Sequence, residues 1–537
     1  MQVREDARPA RPVGSRQSKS LSFGVLAPPL KLNSRSVKVR LFLTVWVVYA
    51  LHATTNVVRE TYLAIALGGH ASVRVDEFLG LHPDLFEIPG RGSYINNNPG
   101  ASMLGGVAYF FVRPAIALAV TLRPQIADPK PPAQYDDPRP NRTRFMNAAR
   151  ARGVDITLGL AAIGIQVLLM APLGALGAVL VWGRLRQRIG DHREALFWAL
   201  VYAFATPLFF RSAFLNQNAI IAFLTLTSYL LMTGEEGLRS GTGATSSDDD
   251  PVSDVNRRTR RRFFVGLLLG IGLLNDYSAV PFLVVFGLWI LVEGFRLAGL
   301  KGAVRLGLAY GAGALGPILL LLAYQWIAFG SPWFPAQRYM PPTEYSVKGW
   351  FGFTMPTAEL AWGNLFDSRY GLFAYSPLLL AALSAPFLCR REWWAGPGSS
   401  ALVWSLASCA ALYLFSCANQ FANLQWNTGV RYMVPAAPLL FLAAVPVLRR
   451  SPVALRWLLV GSSLVISLAV TMTREDIPTA LSLVATGGPT LPVIVVLDKM
   501  ASGYSVLLPW WTIWAVYAIT AGFLWLVWRN ASIKADV

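Results

Sequence analysis

Residues Arg59–Gly100 read RETYLAIALGGHASVRVDEFLGLHPDLFEIPGRGSYINNNPG and separate the first two long apolar runs of a 537-residue chain. The stretch holds five carboxylates, Glu60, Asp76, Glu77, Asp84 and Glu87, with Arg59, Arg74 and Arg91. It also holds His70 and His82, two of the chain's four histidines. Ionisable groups are expensive in lipid, so an acid-rich segment between two runs of spanning length is the first place to look for chemistry.

Outward from this stretch the chain is apolar. Hydrophobic residues make up 54% and charged residues 14%, against about 25% charged in a typical soluble domain. A soluble multidomain protein is excluded. The apolar runs are continuous rather than alternating, so the fold expected is an all-α polytopic bundle of about 12–14 transmembrane helices, not a barrel. The net charge of +18 sits largely beside apolar runs, as the positive-inside rule requires, and does not signal nucleic acid. The three cysteines, Cys389, Cys409 and Cys417, fall in or near apolar runs without metal-ligand spacing and read as buried small residues.

Thirteen candidate spans lie between residues 41 and 528: 41–58, 99–122, 154–183, 195–214, 217–233, 263–274, 278–298, 306–327, 372–389, 400–417, 431–448, 453–473 and 505–528. Residues 1–40 read as a disordered basic cytoplasmic tail without a cleavable signal, and 529–537 as a C-terminal tail. Residues 234–262 read as a flexible cytoplasmic loop ending on the basic run VNRRTRRR. The first extracytoplasmic loop is then 59–98, and 328–371 is another. Simple alternation puts 123–153 and 183–193, both basic, on opposite sides, and an odd count of spans conflicts with two inside termini. One span is therefore misdrawn: 99–122, broken by Arg113-Pro114; 154–183, which is long and carries Pro172; or the short pair around Asn275-Asp276.

Glu60 sits just after the first span, and the short run Leu63–Leu67 suits a helix lying along the interface. A carboxylate held there can act as general base on a hydroxyl, and Asp76-Glu77 is the rival pair. Pairing with Arg59, or helix capping, is the structural alternative for Glu60. His70 and His82 with Asp76, Glu77 and Asp84 offer ligands for a divalent cation, but their spacing matches no ligand motif. Asn96-Asn97-Asn98-Pro99-Gly100 suits a helix start with an Asn cap, and supplies amides for a sugar or phosphate. The segments 328–371 and 418–432 are rich in Trp, Tyr, Asn and Arg, which suits either a sugar-phosphate pocket or an interfacial aromatic belt.

Several of these residues resemble a known family, the GT-C glycosyltransferases, and within it protein O-mannosyltransferases and lipid A aminoarabinose transferases. Those read Asp-Glu and a Tyr-rich helix after span one, then Lys or His before Pro-Pro or Pro-Gly. Here Arg59-Glu60-Thr61-Tyr62-Leu63-Ala64 and Asn98-Pro99-Gly100 hold these places. Gly266–Leu274 with Asn275-Asp276-Tyr277, then Asp367-Ser368-Arg369-Tyr370-Gly371, then Trp426-Asn427-Thr428-Gly429-Val430-Arg431-Tyr432, follow in the family's order. Arg59 and Asn98 stand where relatives carry an acid and a cation. The resemblance implies an inverting transferase in a prokaryotic cell membrane. It would use a polyprenyl-phosphate sugar donor and a glycan, lipid or protein acceptor, with no certain cofactor. Glu60, or Asp76 or Glu77, would be the base, and Arg91, Arg369 and Arg431 would hold the donor phosphate. Tyr62, Asn98, Trp426 and Tyr432 would contact sugar or acceptor. The competing readings are a glycolipid transporter, with Asp276 as its intramembrane charge, and a non-catalytic membrane scaffold.

Overall fold

The computed structural model describes residues 34–133, 140–234, 251–388, 399–427, 429–497 and 509–529. Its helices are α1 (Ser34–Leu51), α2 (Arg59–His70), α3 (Gly100–Leu122), α4 (Pro140–Ala151), α5 (Asp155–Ile189, with a π turn at Gln166–Met170), α6 (His192–Phe204), α7 (Leu208–Arg211), α8 (Gln217–Thr233) and α9 (Pro251–Asn275). There follow α10 (Val280–Phe329), α11 (Ala358–Phe366), α12 (Leu372–Tyr375), α13 (Ala385–Leu388), α14 (Ser399–Ala418), α15 (Ala437–Arg450), α16 (Val453–Thr473), α17 (Ile477–Gly487) and α18 (Thr512–Arg529). The chain is a helical, multi-pass membrane bundle. Among the described residues six helical stretches are long and apolar enough to cross a membrane: α3, α5, α10 with its lead-in turn, α14, α16 and α18. The 53-residue stretch Tyr277–Phe329 folds back on itself at Ala298-Gly299, where φ is +58° at the glycine.

Several expected boundaries move. The tail of 1–40 ends earlier, because Ser34–Arg40 is already helix, and residues 1–33 lie outside the described residues. The basic run before 262 is helical from Pro251, so only 235–250 of the expected cytoplasmic loop lies outside the described residues. The run 195–214 does not form one span: α6 stops at Phe204, and Thr206-Pro207 starts a separate turn. The run 372–389 is broken at Ser376-Pro377 into α12, a 3-10 stretch Pro377–Ser384 and α13. Irregular backbone at membrane depth must find partners inside the protein. Here Ser376 Oγ donates to the Ala205 carbonyl at 2.9 Å, and Leu378 N donates to Ser463 Oγ at 2.9 Å.

The misdrawn span is 99–122. The start of α3 touches the end of α9: a Cβ on Gly100 would sit 2.7 Å from Leu274 and Asn275 backbone. Its far end leads into 123–153, which packs back on the first loop. Arg152 donates to the carbonyls of Glu77 and Leu79 at 3.3 and 2.9 Å, and His82 stacks on Phe145. Arg113 Nη1 also reaches back to the Gly69 carbonyl at 2.8 Å. A crossing helix would carry 123–153 about 30 Å away from Arg59–Gly100. So α3 starts and ends on one side and lies against α2, with Val107, Phe110, Phe111, Leu118 and Leu122 exposed along it.

Arg59–Gly100 is itself folded rather than a loose connection. After α2 come a 3-10 turn, Asp76–Phe78, and an antiparallel hairpin, β1 (Leu85–Ile88) and β2 (Gly92–Ile95), registered Leu85 to Ile95. Tyr62, Leu63, Val75, Phe78, Leu81, Phe86 and Ile95 form its own apolar core, packed on Leu158 of α5 and Tyr324 and Phe329 of α10. This core fixes the height of α2's first turn, and hence of Glu60.

Close helix contact sets the depth of the α9–α10 pair. A Cβ on Gly266 would lie 1.9 Å from the Tyr310 carbonyl oxygen, and one on Gly313 2.0 Å from that of Phe263. Small residues allow backbones in lipid to approach this closely. Gly266→Val and Gly313→Val should each lower the thermal unfolding temperature of the detergent-solubilised protein, with an overpacking cost of about 1–3 kcal/mol. Gly311→Val, at a position with open space, should not. Equal effects at all three positions would contradict this packing.

Candidate active site

Glu60 is the second residue of α2 and is 3% exposed. Arg59 beside it extends its guanidinium between two carboxylates: Nε donates to Glu60 Oε1 at 3.0 Å and Nη1 to Asp84 Oδ2 at 2.6 Å. The three consecutive asparagines then tie three elements together. Asn96 Nδ2 donates to Asp84 Oδ1 at 2.9 Å, Asn97 Nδ2 to Glu60 Oε1 at 2.7 Å, and Asn98 Nδ2 to the Leu273 carbonyl of α9 at 2.8 Å. Gln337, from the 328–371 segment, donates to the Asn96 carbonyl at 3.1 Å. Arg59 Nε and Asn97 Nδ2 both donate to Glu60 Oε1.

The electrostatics follow from this packing. Burial alone would raise the Glu60 carboxyl, but Arg59, Arg431 and the Asn97 amide together hold it below its ordinary range. Asp84 behaves alike: burial opposes its charge, and Arg59 and His82 outweigh it. Burial holds His82 below the usual imidazole range, and its Nδ1 accepts from the Asp84 N–H at 3.1 Å.

Arg431 is the hinge of the arrangement. It is electrostatically coupled to Glu60 and Asp84 on one side and to Arg211 on the other. Its guanidinium lies 5.2 Å from the ring centre of Tyr432. Arg211, at the end of α7, is 1% exposed and donates to the carbonyls of Val430 and, at 2.8 Å, Gly429. Among the described residues no carboxylate pairs with it. Arg474, just after α16, donates to the Phe210 carbonyl at 2.6 Å and lies over the Phe214 ring. Arg211 thus stands coupled to two like charges, Arg431 and Arg474, with Tyr375 and Tyr432 at hand. An anion would relieve the mutual repulsion of these guanidiniums, which is the arrangement that phosphate recognition uses.

The other expected residues lie elsewhere or serve the scaffold. Asp76 is half-exposed, accepts from the Ser93 N–H at 2.6 Å and pairs with Arg74 at 2.7 Å, so it pins the 3-10 turn to β2. Glu77 beside it is exposed. Neither contacts Glu60. Arg91 reaches the carbonyls of Trp326 and Ile327 and caps the end of α10. Arg369 forms a two-point pair with Asp367 at the protein surface, although its carbonyl accepts from Tyr375 Oη at 2.8 Å and so borders the arginine group. Tyr62 is core: its hydroxyl donates to the Leu81 carbonyl at 3.2 Å and its ring packs on Phe78 and His82. Asn98 does not cap α3, whose first turn follows Pro99 without a side-chain cap. Trp426 lies on a 3-10 stretch, but its side chain is outside the described residues. Among the described residues no group of three His, Cys, Asp or Glu side chains is placed to hold a metal ion. Sequence reading passed over Arg211 and Arg474, and it weighed Asp84 only as a cation ligand and Asn97 only within the Asn96–Asn98 amide run. Only Arg211 carried a signal, a charge inside the apolar run LFFRSAFL.

No protein-family model and no curated protein matches the chain. Among solved structures, the crystal structure of ArnT from Cupriavidus metallidurans bound to undecaprenyl phosphate is similar at 16% identity and a TM-score of 0.43. The match spans 92% of this chain and 72% of that one.

The Arg59 bridge is testable as a physical unit. Arg59→Met leaves two buried carboxylates facing each other and should cost about 3–5 kcal/mol at neutral pH. In the wild type, carboxyls held low add stability above their unfolded pKa and lose it as pH falls. In the variant burial is less opposed, the folded pKa values rise, and stability should recover toward pH 5. Thermal unfolding of both proteins between pH 5 and 8 measures this; parallel profiles would count against the bridge.

Proposed function

We propose that this chain is a membrane glycosyltransferase of the GT-C type, moving a sugar from a polyprenyl-phosphate donor to an acceptor hydroxyl on the extracytoplasmic face of a prokaryotic cell membrane, with inversion. The observation that carries the reading is the facing of a buried carboxylate and a buried arginine group across Arg431, at one end of a spanning bundle. The order of motifs from Glu60 to Tyr432 supports it independently.

In this reading the donor's phosphate lies against Arg431, with Arg211 and Arg474 behind it, and the lipid tail runs between helices. The Glu60 carboxylate accepts the proton of the acceptor hydroxyl. The acceptor oxygen forms a bond to the anomeric carbon, and the bond from that carbon to the phosphate oxygen breaks. Polyprenyl phosphate leaves with the electron pair, its added charge met by guanidiniums already in place. Glu60 is a weak base while Arg431 holds it low. The donor's anionic phosphate competes for Arg431, weakens that hold, and so raises the base when donor is present. Fixed charges act most strongly where water is excluded, which favours a site at the lipid boundary. Asp84 and Asn97 position Arg59 and Glu60. Asp76, Glu77, Arg91 and Arg369 support the rim, and Tyr432 and Asn98 flank the sugar.

The test is transfer from radiolabelled polyprenyl-phosphate sugars in membranes. Glu60→Gln should lower the rate at least about 100-fold, the scale of general-base catalysis, while Asp76→Asn and Glu77→Gln cost far less. Wild-type rates in all three would sink the assignment. The acid limb of kcat/KM, where protonation of Glu60 removes the base, should lie below about pH 4.3, the carboxyl's ordinary value. Arg59→Gln should move that limb to higher pH. A limb that stays put would show that Glu60 is not the titrating group.

A further inference from the structure

Two helix breaks meet beside the site. α8 begins at Gln217 after Asn216, whose side chain accepts from the Ala219 N–H at 3.0 Å. α9 ends at Asn275, and Asp276-Tyr277-Ser278 turns the chain into α10. Ser278 Oγ bonds to Asn218 Oδ1 at 3.0 Å and joins the two breaks. Gln217, Asn218 and Asn275 are 3%, 0% and 0% exposed. Yet Gln217 Nε2, Asn218 Nδ2 and Asn275 Oδ1 have no hydrogen-bond partner among the described residues. Each such atom costs about 1–3 kcal/mol, and three in one place require something that both donates and accepts. Asp276 adds a carboxylate: Oδ1 accepts from the Ser278 N–H at 2.8 Å, and its second oxygen makes no hydrogen bond among the described residues.

The cluster adjoins the active site on both sides. Asn98 bonds to Leu273, two residues before Asn275, while its neighbour Asn97 holds Glu60. The 3-10 turn Val434–Ala436, three residues after Arg431, packs on α8. The cluster thus sits on two helices, α8 and α9, that touch the segments carrying Arg431 and Asn97. Amides match sugar hydroxyls in either orientation, since a hydroxyl both donates and accepts. The Asp276 carboxylate repels acidic sugars.

We infer that Gln217, Asn218, Asn275 and Asp276 form the subsite that binds the hydroxyl groups of an uncharged donor sugar. This rests on the transferase reading, and the test separates the two. The protein in nanodiscs is titrated with bare polyprenyl phosphate and with polyprenyl phosphate carrying a neutral hexose or pentose. Wild type should bind at least one glycosylated lipid more tightly than the bare one. Asn218→Leu and Asn275→Leu should each reduce that preference about tenfold, the equivalent of one hydrogen bond, with affinity for bare polyprenyl phosphate unchanged. Retained bare-lipid binding shows that a variant is folded, and Gln217→Met and Asn275→Ala replace any that is not. Variants that keep the preference, or a wild type that binds bare lipid but prefers no neutral sugar, overturn the subsite. A wild type that binds neither lipid overturns the transferase reading instead.

Discussion

Arg59 holds the structure's functional end together. One guanidinium, with its side chain 14% exposed, keeps Glu60 and Asp84 ionised in a place where burial opposes both charges. Without it two carboxylates would face each other in a nearly dry site, and one would take up a proton. Position 59 therefore carries the cation, and the second acid comes from Asp84, 25 residues on. Asn96 and Asn97 then fasten each carboxylate to the end of the same loop. Charge balance organises this end of the bundle.

The second constraint is geometric. Because α3 returns to the side it left, the described residues between 59 and 153 form a cap over one end of the bundle. The cap's own apolar core presses α2 against α5 and α10. The arginines belong to the bundle beneath: Arg211 ends α7, Arg474 follows α16, and Arg431 precedes α15. The site is thus a seam between two bodies of the fold, and Arg431 is the group that both sides feel.

Much of the bundle was legible because burial in lipid writes itself into composition. The span 217–233 matches α8 residue for residue, and 453–473 matches α16. The reading failed where an apolar run had another reason to be apolar. α3 is apolar along a face that no other described part of the chain covers, and its turn-back depends on contacts with Gly69 and Leu274 that lie far away in sequence. The runs 195–214 and 372–389 are broken by Pro207 and Pro377, whose orphaned backbone groups are satisfied by distant serines and carbonyls.

The sequence by itself determined that this is a helical membrane protein and that its acid-rich first loop contains Glu60, because hydropathy and charge spacing are local properties. Only the tertiary structure decided which groups act together. It turned Asp76, Arg91 and Tyr62 into supports, and it brought Asp84, Arg211 and Arg474 to Glu60 and Arg431. Those pairings reach 371 positions along the chain, from Glu60 to Arg431, and Coulomb's law depends on distance in space, which packing alone sets. Arg59–Gly100 named the place; the fold supplied its partners.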